Sequence, residues 1–104
     1  MIKREKRRYL AIKVEGNPAP TEQNVLDAVY ASVLRLFGEY GASQTNLKMI
    51  KHVPEKNQFV VRCSHKMLEQ VRAAIVSTTA LDGKTATFHV VGVSGTLKAL
   101  AKKT

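Results

Sequence analysis

The sequence predicts an α+β fold with elements in the order β-α-β-β-α-β. In four stretches, residues 8–15, 46–53, 58–64 and 84–92, apolar side chains alternate with polar ones as in half-buried strands. Between them, apolar residues recur at steps of three and four, as in amphipathic helices. At 104 residues, 44% of them hydrophobic, the chain is long enough for a single domain, 1–104, with one core.

A proline-rich loop at 16–20 follows the first strand, and Thr21 is suited to cap a helix that should run to about Tyr40. Gly41 has the place of the left-handed residue that closes a helix, whereas Gly38 either ends the helix early or lets another backbone approach closely. The apolar stripe of this helix is predicted from Leu26, Val29, Val33, Phe37 and Tyr40.

The second and third strands are joined by residues 54–57, whose composition is typical of a hairpin turn. Ser64 is suited to cap a second helix over 65–79, and Asp82-Gly83 turns the chain into the fourth strand. A short C-terminal helix is expected over 95–103. This order is that of ferredoxin-like proteins: a four-stranded antiparallel sheet with two helices on one face. The core side of the second helix is predicted from Leu68, Val71, Ala74 and Ile75.

The net charge of +9 is concentrated at the two ends of the chain. Residues 1–14 carry a net +5 and residues 94–104 a net +3, whereas residues 15–93 carry only +1. We therefore distinguish a basic N-terminal arm, 1–7, and a basic C-terminal helix, 94–104. Such segregation favours a polyanionic partner, most often a nucleic acid, over a charge that serves only solubility. A solvated basic tail is the alternative; a membrane surface is disfavoured because the arm lacks an apolar face.

Several other classes of protein are disfavoured by composition. A single cysteine forms no internal disulfide, and no cysteine or histidine cluster has the spacing of a zinc site. Apolar runs are far shorter than a membrane span, and no apolar stretch with a cleavage site follows the charged N-terminus. We therefore expect a cytoplasmic protein that binds no metal and no membrane.

No catalytic residue is predicted. Cys63 alternates with apolar residues on a strand and is expected in the core, and the three histidines lie in different elements. Gly83-Lys84-Thr85 lacks both the earlier glycine and the following helix of a phosphate loop. An acylphosphatase-like enzyme is a remote alternative, because the loop after the first strand contains no arginine.

Nucleic-acid binding through the phosphate backbone fits better than reading of bases. If the apolar sides of the first and third strands face the helices, the open face shows Tyr9, Ala11, Lys13, Val60 and Arg62. One aromatic ring is a poor platform for base stacking, so single-stranded bases are disfavoured as a target. Contacts with phosphates remain favoured, in a specific assembly or in a generic basic RNA-binding or ribosomal module.

The turn Ser94-Gly95-Thr96 offers a second route to phosphate. It begins the C-terminal helix with small side chains, and Lys98 follows one turn later. The amides of a helix start can bind phosphate. An ordinary serine cap explains the same residues equally well, so both interpretations stay open.

Several segments together resemble the archaeal ribonuclease P protein component 2 family, relatives of a eukaryotic ribonuclease P/MRP subunit. The resemblance covers about residues 7–103, and its most specific parts are the first and last segments. The segments are Arg8-Tyr9-Leu10-Ala11, Leu36-Phe37-Gly38-Glu39-Tyr40-Gly41, Val61-Arg62-Cys63, Arg72-Ala73-Ala74 and Val93-Ser94-Gly95-Thr96-Leu97-Lys98.

The resemblance implies a non-catalytic subunit of an enzyme whose RNA removes the 5′ leader from precursor tRNA. Mg²⁺ is then required by the RNA, and the protein binds no cofactor of its own. The implied partners are the ribonuclease P RNA, precursor tRNA within the holoenzyme, and the TIM-barrel-like protein component 3, with a homodimer inside a heterotetramer. Only six residues follow Lys98, whereas some members of the family extend further at this end.

Charge, the helix start and the resemblance together nominate the contact residues. For RNA they are Lys3, Arg4, Lys6, Arg7, Arg8, Arg62, Ser94, Gly95, Thr96, Lys98, Lys102 and Lys103. For the partner protein they are three apolar residues outside the main stripes, Val25, Tyr30 and Leu36.

Overall fold

The computed structural model describes residues 6–16, 20–81 and 83–103, and it has the α+β architecture that the sequence predicts. Five strands are present where four were expected. The elements are β1 (Arg7–Gly16), α1 (Glu22–Gln44), β2 (Lys48–Val53), β3 (Gln58–Ser64), α2 (Leu68–Ser77), β4 (Ala80–Leu81), β5 (Lys84–Ser94) and α3 (Leu97–Lys103).

The sheet has the strand order β2-β3-β1-β5-β4, with antiparallel neighbours throughout. The first four positions in this order are those of a ferredoxin-like sheet. The added strand β4 is a two-residue extension that pairs Ala80 with Thr85 and Leu81 with Lys84. Two residues cannot display an alternating pattern, which is why the sequence did not predict this strand.

The main core lies between the sheet and the helices α1 and α2. Leu10, Ile12 and Val14 of β1 are almost fully buried there, as their alternation predicts. Cys63, on β3, is also buried, which confirms its prediction as a core residue. The other buried members of this cluster are Val25, Val29, Phe59, Val61, Val71, Ile75, Leu81, Ala86 and Phe88.

Helix α1 begins as predicted but contains a kink. The Thr21 side chain accepts a hydrogen bond of 3.2 Å from the Asn24 amide, which confirms it as the N-cap. Gly38 has φ 74° and ψ −178°, so the helical geometry breaks there before it resumes and continues to Gln44. The prediction that Gly41 is the left-handed closing residue is therefore wrong: Gly38 has the positive φ.

The apolar stripe predicted for α1 is only partly correct. Val29 and Val33 are buried, but Phe37 is 38% exposed and Tyr40 80% exposed. Val25, predicted as a partner contact, is wholly buried in the core, so that prediction is wrong. The stripe was wrong because the buried face runs through Val25 and Val29, and because the kink follows Phe37 directly.

Helix α2 starts later than predicted. Residues His65–Met67 form a 3₁₀ turn, and the α-helix itself begins at Leu68. Ser64 occupies the N-cap position before this 3₁₀ turn, as predicted, but its side chain makes no capping hydrogen bond there. The predicted core side is otherwise correct, since Val71, Ala74 and Ile75 are buried and Leu68 is partly buried against the core.

Gly38→Ala should destabilise the protein by about 1–3 kcal/mol, because a side chain at this backbone geometry is strained. Apart from the local backbone, no described atom lies within 4 Å of the position that a Cβ would take, so strain and not a clash causes the loss. Gly95→Ala is the control: it has no positive φ and ordinary contacts, and should change the free energy of unfolding by less than about 0.5 kcal/mol. Urea unfolding measures the change in the free energy of unfolding for both variants. Equal losses in Gly38→Ala and Gly95→Ala would contradict the prediction.

Candidate RNA interface

Cations from several elements meet at one end of the sheet. Because the strands are antiparallel, the start of β1, the start of β2, the end of β3 and the end of β5 lie at this end. The Lys6 carbonyl accepts a 2.8 Å hydrogen bond from the His65 amide, which holds the chain before β1 against the end of β3. We call the cations of this region the basic end: Lys6, Arg7, Arg8, Lys48, Arg62, Lys66 and Lys98.

The start of β1 and the turn after β5 lie side by side at this end. Tyr9 on β1 pairs with Ser94 at the end of β5. The guanidinium of Arg8 lies against Gly95, since a Cβ built on that glycine would be 3.5 Å from Arg8 Nη1. The same nitrogen donates a 2.9 Å hydrogen bond to the Arg7 carbonyl, which orients the Arg8 side chain along the turn.

The turn before α3 is an ordinary capped helix start. Thr96 is the capping residue, since its Oγ1 accepts a 3.1 Å hydrogen bond from the Ala99 amide. Ser94 Oγ accepts a longer hydrogen bond, 3.4 Å, from the Thr96 amide. Two of the amides that could have faced a phosphate are therefore engaged within the protein. Phosphate binding by Ser94, Gly95 and Thr96 stays a prediction, and Arg8 beside the turn is its best support.

The face of the sheet opposite α1 and α2 is less open than predicted. Helix α3 crosses it, and Leu100 packs on Ala11 and Val60 in a second small core. Ala11 is 1% exposed and Val60 4% exposed, so their assignment to an open face is wrong. The sequence missed this contact because α3 has only seven residues, too few to show a reliable apolar stripe.

Not every predicted RNA contact reaches the basic end. Lys102 follows Ala101, which lines a separate groove of about 140 Å³ together with Lys51 and Lys56 on the hairpin of β2 and β3. The backbone of Lys103 ends α3. The predictions for Lys3 and Arg4 lie outside the described residues.

Lys48, like Lys66, is a cation of the basic end that sequence reasoning missed. It lies directly opposite Arg62, and both line a concave pocket of about 310 Å³ with Arg7. Its alternation with Leu47 and Met49 was a usable signal, but the pairing register with β3 could not be read from one strand. A bulge at Ile50 also reverses the alternation, so that His52 stacks on the core residue Phe59 with ring centroids 4.1 Å apart.

The acidic and apolar surface of α1 contrasts with the basic end. The helix carries three acids and one base, Arg35. Tyr30, Leu34 and Phe37 are spaced four and three residues apart on one side of the helix and are 42%, 36% and 38% exposed. Leu36 is 45% exposed on another side. This surface therefore suits a protein partner better than a nucleic acid.

Neither a metal-binding cluster nor a phosphate loop is found in the described parts of the chain. Within the described parts of the chain, no three His, Cys, Asp or Glu side chains lie close enough to share a metal ion. The segment after Gly83 is strand β5, so Gly83-Lys84-Thr85 has no helix to form a phosphate loop. Among the described helices, none has the length and apolar character needed to cross a membrane.

Cys63 should resist thiol reagents in the folded protein. Burial raises the pKa of its thiol from 9.0 to about 11, against a smaller opposing effect of the Arg8 charge. The neutral thiol is thus favoured by folding; this contribution to stability is complete below pH 9 and is lost as the pH rises toward 11. Alkylation at pH 8 should be slow in buffer and fast in urea. Equal alkylation rates in buffer and in urea would contradict this burial, provided that circular dichroism shows the protein in buffer to be folded.

Comparison with known proteins connects this geometry with a family. Residues 8–104 match the model of the Rpp14/Pop5 family. A relative from Methanosarcina mazei named ribonuclease P protein component 2 is 32% identical over 100 residues, which cover 96% of this chain and 84% of the relative. Its namesake from Pyrococcus abyssi is 33% identical, with 96% and 85% covered. A chain in the cryo-EM structure of yeast ribonuclease MRP has a TM-score of 0.72 at 12% identity, covering 93% of this chain and 79% of that one, which supports the fold alone.

Proposed function

Since the chain belongs to the Rpp14/Pop5 family, we propose that it is a non-catalytic protein subunit of ribonuclease P, the RNA-based enzyme that removes the 5′ leader from precursor tRNA. The observation that carries the proposal is the basic end: cations that are distant in the sequence gather at one end of the sheet. Near-full-length similarity to archaeal proteins named ribonuclease P protein component 2 supports the same assignment, and a place in the cytoplasm.

The role that follows is electrostatic. Closely packed RNA helices repel one another through their phosphates, and the catalytic RNA must hold its fold against that repulsion. Lysine and arginine side chains at the basic end neutralise phosphates and release counterions, which favours the compact RNA. The RNA then needs less Mg²⁺ to reach its active fold. In this proposal Mg²⁺ serves the RNA, and the protein supplies fixed positive charge.

Competition binding tests this assignment against a generic basic RNA-binding module. The protein is bound to labelled cognate ribonuclease P RNA. It is then challenged with an equal mass of unlabelled cognate RNA, ribosomal RNA or tRNA. The proposal expects the cognate RNA to displace the protein at least about tenfold better than either competitor. Equal displacement by all three RNAs would favour the generic module.

We further propose that the exposed apolar side of α1 contacts protein component 3, within a heterotetramer that contains two copies of each protein. Tyr30 and Leu36 were the sequence candidates for this contact. Leu34 and Phe37 join Tyr30 on one side of the helix, whereas Leu36 lies apart from them. Aromatic residues at such positions often dominate the binding energy of an interface.

Replacing both Tyr30 and Phe37 by alanine should weaken binding of protein component 3 by about 10- to 100-fold, because two exposed aromatic anchors are lost. Isothermal titration calorimetry with purified component 3 measures the change. Val76→Ala is the control, since this exposed valine lies on α2. If the double variant binds like Val76→Ala, the contact lies on another surface.

A further inference from the structure

Three cations of the basic end line a single pocket on the sheet face opposite α1 and α2. Its volume is about 310 Å³, and its charged lining residues are Arg7, Lys48 and Arg62. The register explains how they meet: Arg62 on β3 pairs with Lys48 on one side and with Tyr9 on the other. Arg7 is two residues before Tyr9 and therefore points to the same face. The rest of the lining is Asn46 and Leu47.

The cations of this pocket repel one another. Like charges directly opposite each other on neighbouring strands destabilise a sheet, and Lys48 and Arg62 form such a pair. In the described parts of the chain, the ion pair that is formed joins Lys13 to Glu15, at 3.4 Å, and involves none of the pocket's cations. The N–H groups of an arginine guanidinium and of a lysine ammonium can donate hydrogen bonds to phosphate oxygens. The repulsion and the supply of N–H donors thus both point to an anionic ligand.

We propose that this pocket binds a backbone phosphate of ribonuclease P RNA, an inference that rests on the proposed function. The lining is mainly cationic, and the volume is at the lower limit of pockets that enclose small organic ligands. A phosphodiester with its flanking sugars suits this size and charge. Arg7 connects the pocket to the start of β1, where Lys6 and Arg8 are its neighbours in the chain.

A pair of matched variants tests the site. The pocket variant carries Lys48→Gln and Arg62→Gln, and the control carries Lys84→Gln and Arg72→Gln, exposed cations of β5 and α2. Both lose one lysine and one arginine, so their net charges are equal. The pocket variant should bind ribonuclease P RNA about tenfold more weakly at roughly 0.1 M salt, with a slope of log affinity against log salt smaller by about one unit. The control should change the slope by less than half of this.

Equal losses in the two variants would overturn the pocket, because net charge alone would then explain binding. A variant that removes Lys6, Arg7 and Arg8 separates this failure from failure of the proposed function. If that variant loses RNA affinity while the pocket variant does not, the pocket is wrong and the proposed function stands. If the wild-type protein itself does not bind the RNA, both are wrong.

Thermal unfolding in inorganic phosphate gives a readout that needs no RNA. At ionic strength matched with chloride, phosphate should raise the midpoint of the wild type and of the control but not that of the pocket variant. Equal shifts in all three proteins would contradict a specific site. A shift lost in the pocket variant together with unchanged RNA affinity would mean that the pocket takes free phosphate, which overturns the assignment to RNA.

Discussion

Removing the charges of Lys6, Arg7 and Arg8 with glutamine is expected to lower the affinity for ribonuclease P RNA by at least about 100-fold at roughly 0.1 M salt. The reason is that each cation that neutralises a phosphate contributes close to one unit to the slope of log affinity against log salt, so three cations contribute about two to three units. Arg7 and Arg8 begin β1 and Lys6 directly precedes them, and the Arg8 side chain reaches the turn before α3.

The matched control replaces Arg35, Arg72 and Lys84, which removes two arginines and one lysine from α1, α2 and β5. Its slope should fall by less than one unit. Affinities measured by filter binding at several potassium chloride concentrations give both slopes. A common slope for the two variants would show that position does not matter, and the basic end would then not be an RNA contact.

Phe59→Ala is expected to have the largest effect on stability, a loss of about 3–5 kcal/mol. Phe59 is wholly buried, stacks on His52 and is the largest of the fully buried side chains described. A truncation there leaves a cavity between β3 and the helices that the surrounding core cannot fill. Because small domains are stable by only about 5–15 kcal/mol, the midpoint of thermal unfolding should fall by at least about 10 °C.

Phe37→Ala supplies a control of the same residue type. Phe37 is 38% exposed beside the kink of α1, so its truncation should cost less than half as much as that of Phe59. Calorimetry of both variants compares the losses directly. Equal destabilisation would contradict the placement of these two rings, and Phe37→Ala should instead act on binding of the partner protein.

The sequence was sufficient where a regular pattern carried the information. Alternation identified Leu10, Ile12 and Val14 as the core side of β1, and a threonine with the right spacing identified the start of α1. Sequence patterns did not predict the features that depend on strand register or on tertiary contacts. The helix α1 is kinked at Gly38, directly after the exposed residue Phe37. The spacing of apolar residues along the helix does not predict such a kink.

The candidate site shows the same division. Charge counting found Arg7 and Arg8, and the helix-start pattern found the C-terminal turn; the pairing of β1 with β5 places them side by side. The pocket required the pairing of Lys48 with Arg62, and strand register is set by the whole sheet and not by one segment. The contact of Leu100 with Ala11 and Val60 could not be predicted from the sequence either, because α3 has only seven residues.

Cleavage of precursor tRNA by the reconstituted enzyme at limiting Mg²⁺ tests the central claim most directly. The cognate ribonuclease P RNA is combined with protein component 3, and the cleavage rate is measured with and without this chain. The account predicts that the chain increases the rate and lowers the Mg²⁺ concentration at half-maximal activity, and that the proteins without RNA cleave nothing. No stimulation, with the RNA and component 3 shown to be folded, would contradict the account.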